Sequence, residues 1–413
     1  MSLRPVVALG ATQIVGYGTL YYAFPIALPQ VAAEFGVPET WGYAAFAAGM
    51  LAGASIAPAV GRAMDRVGAP RVMAAGSALA FMLLALLPFA PNFAVFALLV
   101  VALEVVGVAV LYDGAFATLA LLRGREARRA ITHLTLIAGF ASTIYWPLTG
   151  WMVEEVGWRI TYAAFAGMHL ALALPLHLWL ASLAKAALRP NAPRDVPAVV
   201  EPAVIGAAAR QAFTLVATGF ALSGMLVAAL TVHMVLLVQA AGMGAAAFVI
   251  SMLMGPSQVA IRLIDAVLWR GLHPVTVATV AAAALPLAVA VLMAAGGTMA
   301  GAAGFAVLMG IGGGLSSIVR GTVPLALFGS GGYGAMLGRL TALRTLLSAV
   351  APFGFALVLQ AAGSRAAMIA ALVAGVASLV PLVLLRRLMA RANPSTESPV
   401  PQDRAGGAHR QRS

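Results

Sequence analysis

Apolar residues run through this chain in blocks of about twenty, and charges and turn residues fall almost entirely between the blocks. A block of that length crosses ~30 Å of hydrocarbon as an α-helix, so each is a predicted membrane span. Twelve are predicted, near residues 7–31, 41–60, 72–90, 93–121, 130–151, 160–182, 211–238, 244–263, 274–295, 301–328, 337–361 and 366–386. The punctuation between them is legible as "GRAMDRVGAPR", "APN", "RGREARR", "EEVGWR", "QAAGMG", "WRGLHP", "AAGGTM", "GSGGYG" and "AGSR". The segment 183–209 is richer in proline and polar residues than its surroundings, and it is predicted to link two six-helix halves. The expected organisation is 1–182, the linker, 210–390, and a disordered tail over 391–413.

Composition agrees with the pattern. A chain of 413 residues that is 62% hydrophobic and 9% charged, with mean hydropathy +0.97, carries more apolar surface than a soluble core could bury. The lipid bilayer must be its solvent. The net charge of +12 does not mark a nucleic-acid binder, because the arginines punctuate apolar segments instead of covering a solvated face. They set topology instead. With the N-terminus inside, all but four of the 25 Lys and Arg residues fall on the cytoplasmic side. Arg159 and Arg365 fall on the other face, and Arg320 and Arg344 fall inside spans. Both termini are therefore expected in the cytoplasm, with the chain in the inner membrane of a bacterium. The apolar run from Pro5 to Ala33 is too long for a signal-peptide core and is read as a retained first span. With no cysteine, thiolate metal sites and disulfides are excluded.

The two halves repeat. Shifting by 200 residues lays "GRAMDRVG" over "IRLIDAVL", matching Arg62 to Arg262 and Asp65 to Asp265. "PLTGWMVEEVGWR" pairs with "PFGFALVLQAAGSR", each a proline followed by a Gly-x-Arg at the outer exit of its span. At a shift of 207, Asp113 lies over Arg320. Parallel halves of this kind are common in transporters.

Two halves, a mid-chain loop and "GRAMDRVGAPR" between the second and third spans together resemble the major facilitator superfamily of secondary transporters, whose motif there is G-x-x-x-D-R-x-G followed by basic residues. Gly61, Asp65, Arg66, Gly68 and Arg71 match, whereas Ala69 and Pro70 replace the usual basic pair. "TVHMVLLVQAAGM" and "GGGLSSIVRGTVPLALFG" are similar to bacterial members grouped near monocarboxylate porters. The arginine that the family carries in its fourth helix has no counterpart here. The resemblance implies an all-α membrane protein in which two pseudo-symmetric six-helix bundles surround a central cavity lined by helices 1, 4, 7 and 10. It implies a gating role for the matched loop and, by the repeat, for Arg262 and Asp265.

Ionisable groups inside spans are costly and mark pathways by default. Glu104 and Asp113 interrupt the fourth block, His233 the seventh and Arg320 the tenth, while Gln13, Tyr17 and Tyr21 recur every fourth residue in the first. Nine residues at 100° each put Glu104 and Asp113 on opposite sides of a continuous helix, and Asp113, with Tyr112 beside it, is the cavity candidate. Ser316 precedes Arg320 by one turn, and a guanidinium beside a hydroxyl suits a carboxylate. Blander readings are expected for His169, His177 and His133 as packing or interfacial groups, for Arg344 as a snorkelling side chain, and for the glycines at 310 and 312–314 as close helix packing. The expected activity is alternating-access transport of a small organic solute, with a proton-coupled organic anion preferred over export of drugs or other cationic compounds. A passive channel or membrane sensor is the alternative of another class. No enzyme activity, metal or cofactor is expected; the partners are substrate, protons and lipid, with the monomer as functional unit.

Overall fold

The computed structural model describes residues 3–187 and 199–392. Residues 188–198 of the predicted linker and the predicted tail from 393 onward lie outside the described residues. The described residues are about 90% helical and include no strand. The first half comprises α1 (Arg4–Tyr17), a π-helical turn (Gly18–Tyr22), α2 (Ala23–Phe35), α3 (Glu39–Val67), α4 (Ala69–Leu86), α5 (Phe93–Val110), α6 (Tyr112–Arg123), α7 (Ala127–Ala138), α8 (Ala141–Met168), a second π turn (His169–Ala173) and α9 (Leu174–Ala187). The second half comprises α10 (Gly206–Val232), α11 (Met234–Val238), a third π turn (Gln239–Met243), α12 (Ala246–Ser251), α13 (Met254–Val267), α14 (Pro274–Ala295), α15 (Met299–Phe328) and α16 (Tyr333–Ala392). The helices on either side of the linker thus extend into it, to Ala187 and from Gly206. Among the described residues, eight helical runs are long and apolar enough to cross a bilayer, and two of them, Phe93–Ala186 and Tyr333–Ala390, are 94 and 58 residues long, enough for more than one crossing each.

Several predicted breaks are helix starts with recognisable caps. Asn92 accepts a hydrogen bond from the Val95 amide, Thr298 from Gly301, and His273 from Val275 with Pro274 behind it, so each satisfies an amide that the first turn leaves without a partner. Two predicted breaks are not loops. At "EEVGWR" and "AGSR" one helix ends and the next begins at a single non-helical residue, Gly157 (φ 79°, ψ 163°) and Gly363 (φ 79°, ψ 173°). Both lie two residues before the repeated arginine, and only glycine takes that backbone without strain. Conversely, the fourth predicted block is not one helix. It breaks at Leu111, whose backbone is extended (φ −82°, ψ −159°).

Large apolar side chains such as Leu98, Val249 and Phe353 stand exposed around the exterior, as a bilayer solvent requires. The buried cores show how the halves meet. One core joins Met64, Phe116, Ile131 and Leu134 of the first half to Leu325, Tyr333 and Leu337 of the second. A second, around Leu28, Phe96 and Trp158, and a third, around Leu230, Phe305 and Leu285, are each drawn from one half alone. The halves are therefore packed together at the arginine-rich end and hold separate cores toward the other.

Candidate translocation site

The break at Leu111 organises the site. It ends α5 and starts α6 within the apolar block, and the carbonyl of Val110 loses its place in the helical ladder. Gln13 of α1, fully buried, donates its side-chain amide to that carbonyl at 2.8 Å. Gly114 lets the two half-helices approach, since a methyl group there would meet the Ala109 carbonyl at 2.5 Å. Tyr112 and Asp113 consequently occupy the first turn of α6, where the positive end of the helix dipole favours a carboxylate. Irregular backbone at membrane depth is tolerated only where protein or a water-filled cavity receives it. The sequence expectation of a continuous helix, with Glu104 and Asp113 set opposite by angle, therefore does not hold, because the break resets the rotation.

Asp113 faces Arg320 of α15, with Oδ1 at 3.5 Å from the guanidinium; Asp113 is almost buried and Arg320 half-buried. The Arg320 guanidinium also lies 5.5 Å from the centre of the Tyr112 ring, a cation–π contact. The Tyr112 ring stacks on Phe116 at 5.1 Å and meets Tyr17 at 4.8 Å. Phe116 in turn packs flat against Gly321, where an added methyl would stand 2.7 Å from the ring. The two charges and the rings thus form one interhelical unit across the halves. The π turn that follows Tyr17 keeps Tyr21 adjacent to it, at 6.5 Å between ring centres, and brings in Tyr22 at 6.4 Å.

The other predicted site residues divide. Ser316 is half-buried one turn from Arg320. Glu104 lies against α3, its Cβ and Cγ filling the space beside Gly49, with Tyr21 and Tyr162 as electrostatic neighbours. It does not join the Asp113–Arg320 pair. His233 is also apart: it terminates α10, its Nδ1 bonds the Ala229 carbonyl at 2.9 Å, and its ring rests 5.0 Å from Phe355. That is about 40 Å along α10 from Gly206, at the far end from the pair. His169 and His177 bond Thr19 and Ser77 at 2.8 Å each, as interhelical packing groups. The glycines of α15 do serve close packing: added methyls at Gly310 and Gly314 would meet the Met254 and Gln258 carbonyls of α13 at 2.6 and 2.8 Å, and one at Gly312 would meet the Leu285 side chain of α14 at 2.6 Å. Sequence reasoning missed Arg344. It lies about 16 Å from the start of α16, too deep for the snorkelling expected of it, and Arg320, Asp113, Tyr17 and Tyr21 are its electrostatic neighbours.

At the arginine-rich end the halves are bolted by the repeated motif. Asp65, in the last turn of α3, accepts the Gly334 and Ala335 amides at 2.8 Å each, capping the free N–H groups where α16 begins. The crossing is close because it is made of small residues: added methyls at Gly61, Gly334 and Gly338 would meet the backbone oxygens of Gly334, Gly61 and Ala57 at 2.1, 2.6 and 2.3 Å. The repeat-related Asp265 accepts a hydrogen bond from Thr132 of α7 at 3.2 Å. Arg262 is buried and reaches the carbonyls of Thr135 at 3.2 Å and Gly314 at 3.4 Å, whereas its counterpart Arg62 is exposed. Arg66 is exposed, Gly68 turns the chain at φ 91°, and Arg71 bonds the Val67 carbonyl at 3.4 Å.

These features define a helical carrier whose halves meet over a charged, aromatic interior. The family model of the Major Facilitator Superfamily matches residues 11–352, and the chain belongs to that superfamily. Its fold is similar to that of the human organic anion transporter MFSD10 (TETRAN), at 16% identity and TM-score 0.71, covering 93% of this chain and all of that one. It is also similar to the proton:xylose symporter XylE bound to 6-bromo-6-deoxy-D-glucose (12%, TM-score 0.66, 94% of this chain and 97% of that one) and to FucP in the outward conformation (13%, TM-score 0.68, 92% and 98%). No curated protein matches the sequence. The chain is thus a multi-pass membrane transporter, not an enzyme.

Proposed function

We propose that this protein is a proton-coupled porter of small organic anions, monocarboxylate-like in character, working by alternating access between two six-helix halves of a twelve-span monomer in a bacterial inner membrane. The observation that carries the reading is the Asp113–Arg320 pair at a helix break between the halves. An anion can displace Asp113 from the guanidinium, and protonating Asp113 weakens its competing hold, which couples a proton to the solute. A helix 4 carboxylate, Asp113 or Glu104, is the proton carrier in this scheme. With both termini cytoplasmic, the packed end is the inner gate and the structure is the outward-facing state.

Uptake into proteoliposomes tests it, across a panel of carboxylates, neutral solutes and organic cations, with and without a proton gradient. Carboxylates should accumulate with protons. Asp113→Asn should abolish accumulation yet leave exchange between equally loaded sides, since exchange moves no net proton. Proton-driven uptake that survives in both Asp113→Asn and Glu104→Gln would end the coupling assignment, and cations driven outward in place of anions would favour an exporter.

A further inference from the structure

The interior holds a second guanidinium without a carboxylate. Asp113 answers Arg320, but the polar contact of Arg344 is Thr345 Oγ1 at 3.5 Å, and its Nε is buried with no hydrogen-bond partner. Ser348, one turn further along α16, has a buried hydroxyl that is also unpartnered, as does Ser223 of α10. Arg344 and Ser348 both pack against one glycine: a methyl group built on Gly224 of α10 would stand 2.7 Å from Arg344 Cγ and 3.0 Å from Ser348 Oγ. Buried donors without acceptors are uncommon in folded proteins, and a cluster of them around a cation is the complement of an anion.

The neighbours of Arg344 describe the rest of the ligand. Tyr21 packs 5.7 Å from Phe46 of α3, and Glu104 of α5 and Arg344 of α16 are its electrostatic neighbours. It is nevertheless 41% exposed. The ring is thus left partly uncovered by Phe46, Tyr17 and Tyr22. Tyr22 stands edge-on to it at 5.4 Å and Tyr17 at 6.5 Å, giving an aromatic wall beside the guanidinium. Rings present a flat apolar face that prefers another ring, while the hydroxyls stay free for polar atoms.

We propose that Arg344 receives the anionic end of the substrate, with Ser348 beside it, and that Tyr21 and Tyr22 hold a flat aromatic body, making the substrate class a small aromatic carboxylate. This rests on the organic-anion reading above and assigns its anchor to a residue other than the Asp113–Arg320 pair. Arg344 grips the carboxylate throughout, and Arg320 is reached when Asp113 is protonated. An unpaired charge held for a ligand should also be a liability in the empty protein.

Equilibrium binding of labelled benzoate to the purified full chain, alongside acetate and benzylamine, tests this with melting temperatures of the empty protein. Benzoate should bind at least about tenfold more tightly than acetate, a difference of ~1.4 kcal/mol, and benzylamine should not bind. Arg344→Gln should weaken benzoate binding by more than about tenfold while leaving the empty protein's melting temperature unchanged or higher, and Arg344→Lys should fall between. Tyr21→Leu and Ser348→Ala, which spare the charge, should each weaken binding severalfold, so the proposal stays exposed even if Arg344→Gln does not fold. Wild-type affinity in Arg344→Gln, or in both milder variants where Arg344→Gln does not fold, would overturn the anchor while leaving the anion reading intact. Equal binding of acetate and benzoate would overturn the aromatic class. If no carboxylate in the uptake panel binds the wild type, the organic-anion reading itself fails and this proposal fails with it.

Discussion

Asp113 and Arg320 tie α6 to α15 through one buried pair, which the proposed mechanism also uses as a switch. Removing one partner leaves the other charged in a poorly solvated site, which costs ~3–5 kcal/mol when the pair is fully buried. Arg320 keeps 21% side-chain exposure, so Asp113→Asn should cost less, about 2 kcal/mol, in detergent unfolding. The double variant Asp113→Asn, Arg320→Gln should regain most of that stability without regaining transport. Recovery of transport in the double variant would show that the pair is only a tie. At the opposite end, Glu34 is held by Arg159 at 2.6 Å and by the Trp158 indole N–H at 2.6 Å. The Arg159 guanidinium keeps the Glu34 carboxyl below the usual carboxylate range. A depressed folded pKa stabilises above the unfolded value and is lost as pH falls through the folded one. Glu34→Gln should therefore lower the melting temperature slightly at neutral pH and leave it unchanged in acid, a small effect because the pair is exposed.

At the scale of elements, the broken fourth helix depends on one residue from another helix. Gln13 supplies the donor that the Val110 carbonyl lost when Leu111 left helical geometry. Gln13→Leu would leave that carbonyl buried and unanswered, at a cost of about 1–3 kcal/mol. Because the break places Asp113 at the start of α6, the same change should also lower transport of the folded fraction. Normal transport with reduced stability would separate the break from the mechanism. The paired glycine bends at Gly157 and Gly363 show the other use of irregular backbone. They let one helix turn into the next without a loop, and an alanine there would be forced into a left-handed backbone.

For the whole molecule, the closure at the arginine-rich end is a sum of small surfaces. Asp65 holds two amides of α16, and Asn in its place can accept with only one oxygen, so Asp65→Asn should slow turnover while sparing outward-facing binding. Intact turnover would reduce the motif to a topological signal. Gly338→Leu attacks the same closure sterically, since a side chain there meets the Ala57 carbonyl. It should populate the inward-open state. The absence of cysteine makes this readable: a Ser316→Cys reporter should react faster with an impermeant maleimide from the arginine-rich side in the Gly338→Leu background. An unchanged rate would mean that the crossing does not control closure.

Much of this protein is written in one dimension. Apolar block length, caps such as Asn92 and Thr298, and the repeated Gly-x-Arg follow from the chain, because span length, end satisfaction and glycine backbone are local properties. Even the neighbourhood of Asp113 and Arg320 is legible, since duplicated halves carry the same spacing. The break at Leu111 is not, because neither leucine nor its neighbours forbid a helix, and it persists through Gln13, which lies nearly a hundred residues earlier and acts across space. Nor does sequence tell equivalent arginines apart: Arg62 and Arg262 occupy matching positions, yet only Arg262 is buried between the halves. Arg344 looks the same in sequence whether it reaches for the interface or stands unpaired in the interior. That difference rests on which helices surround it, and packing between distant segments alone decides that.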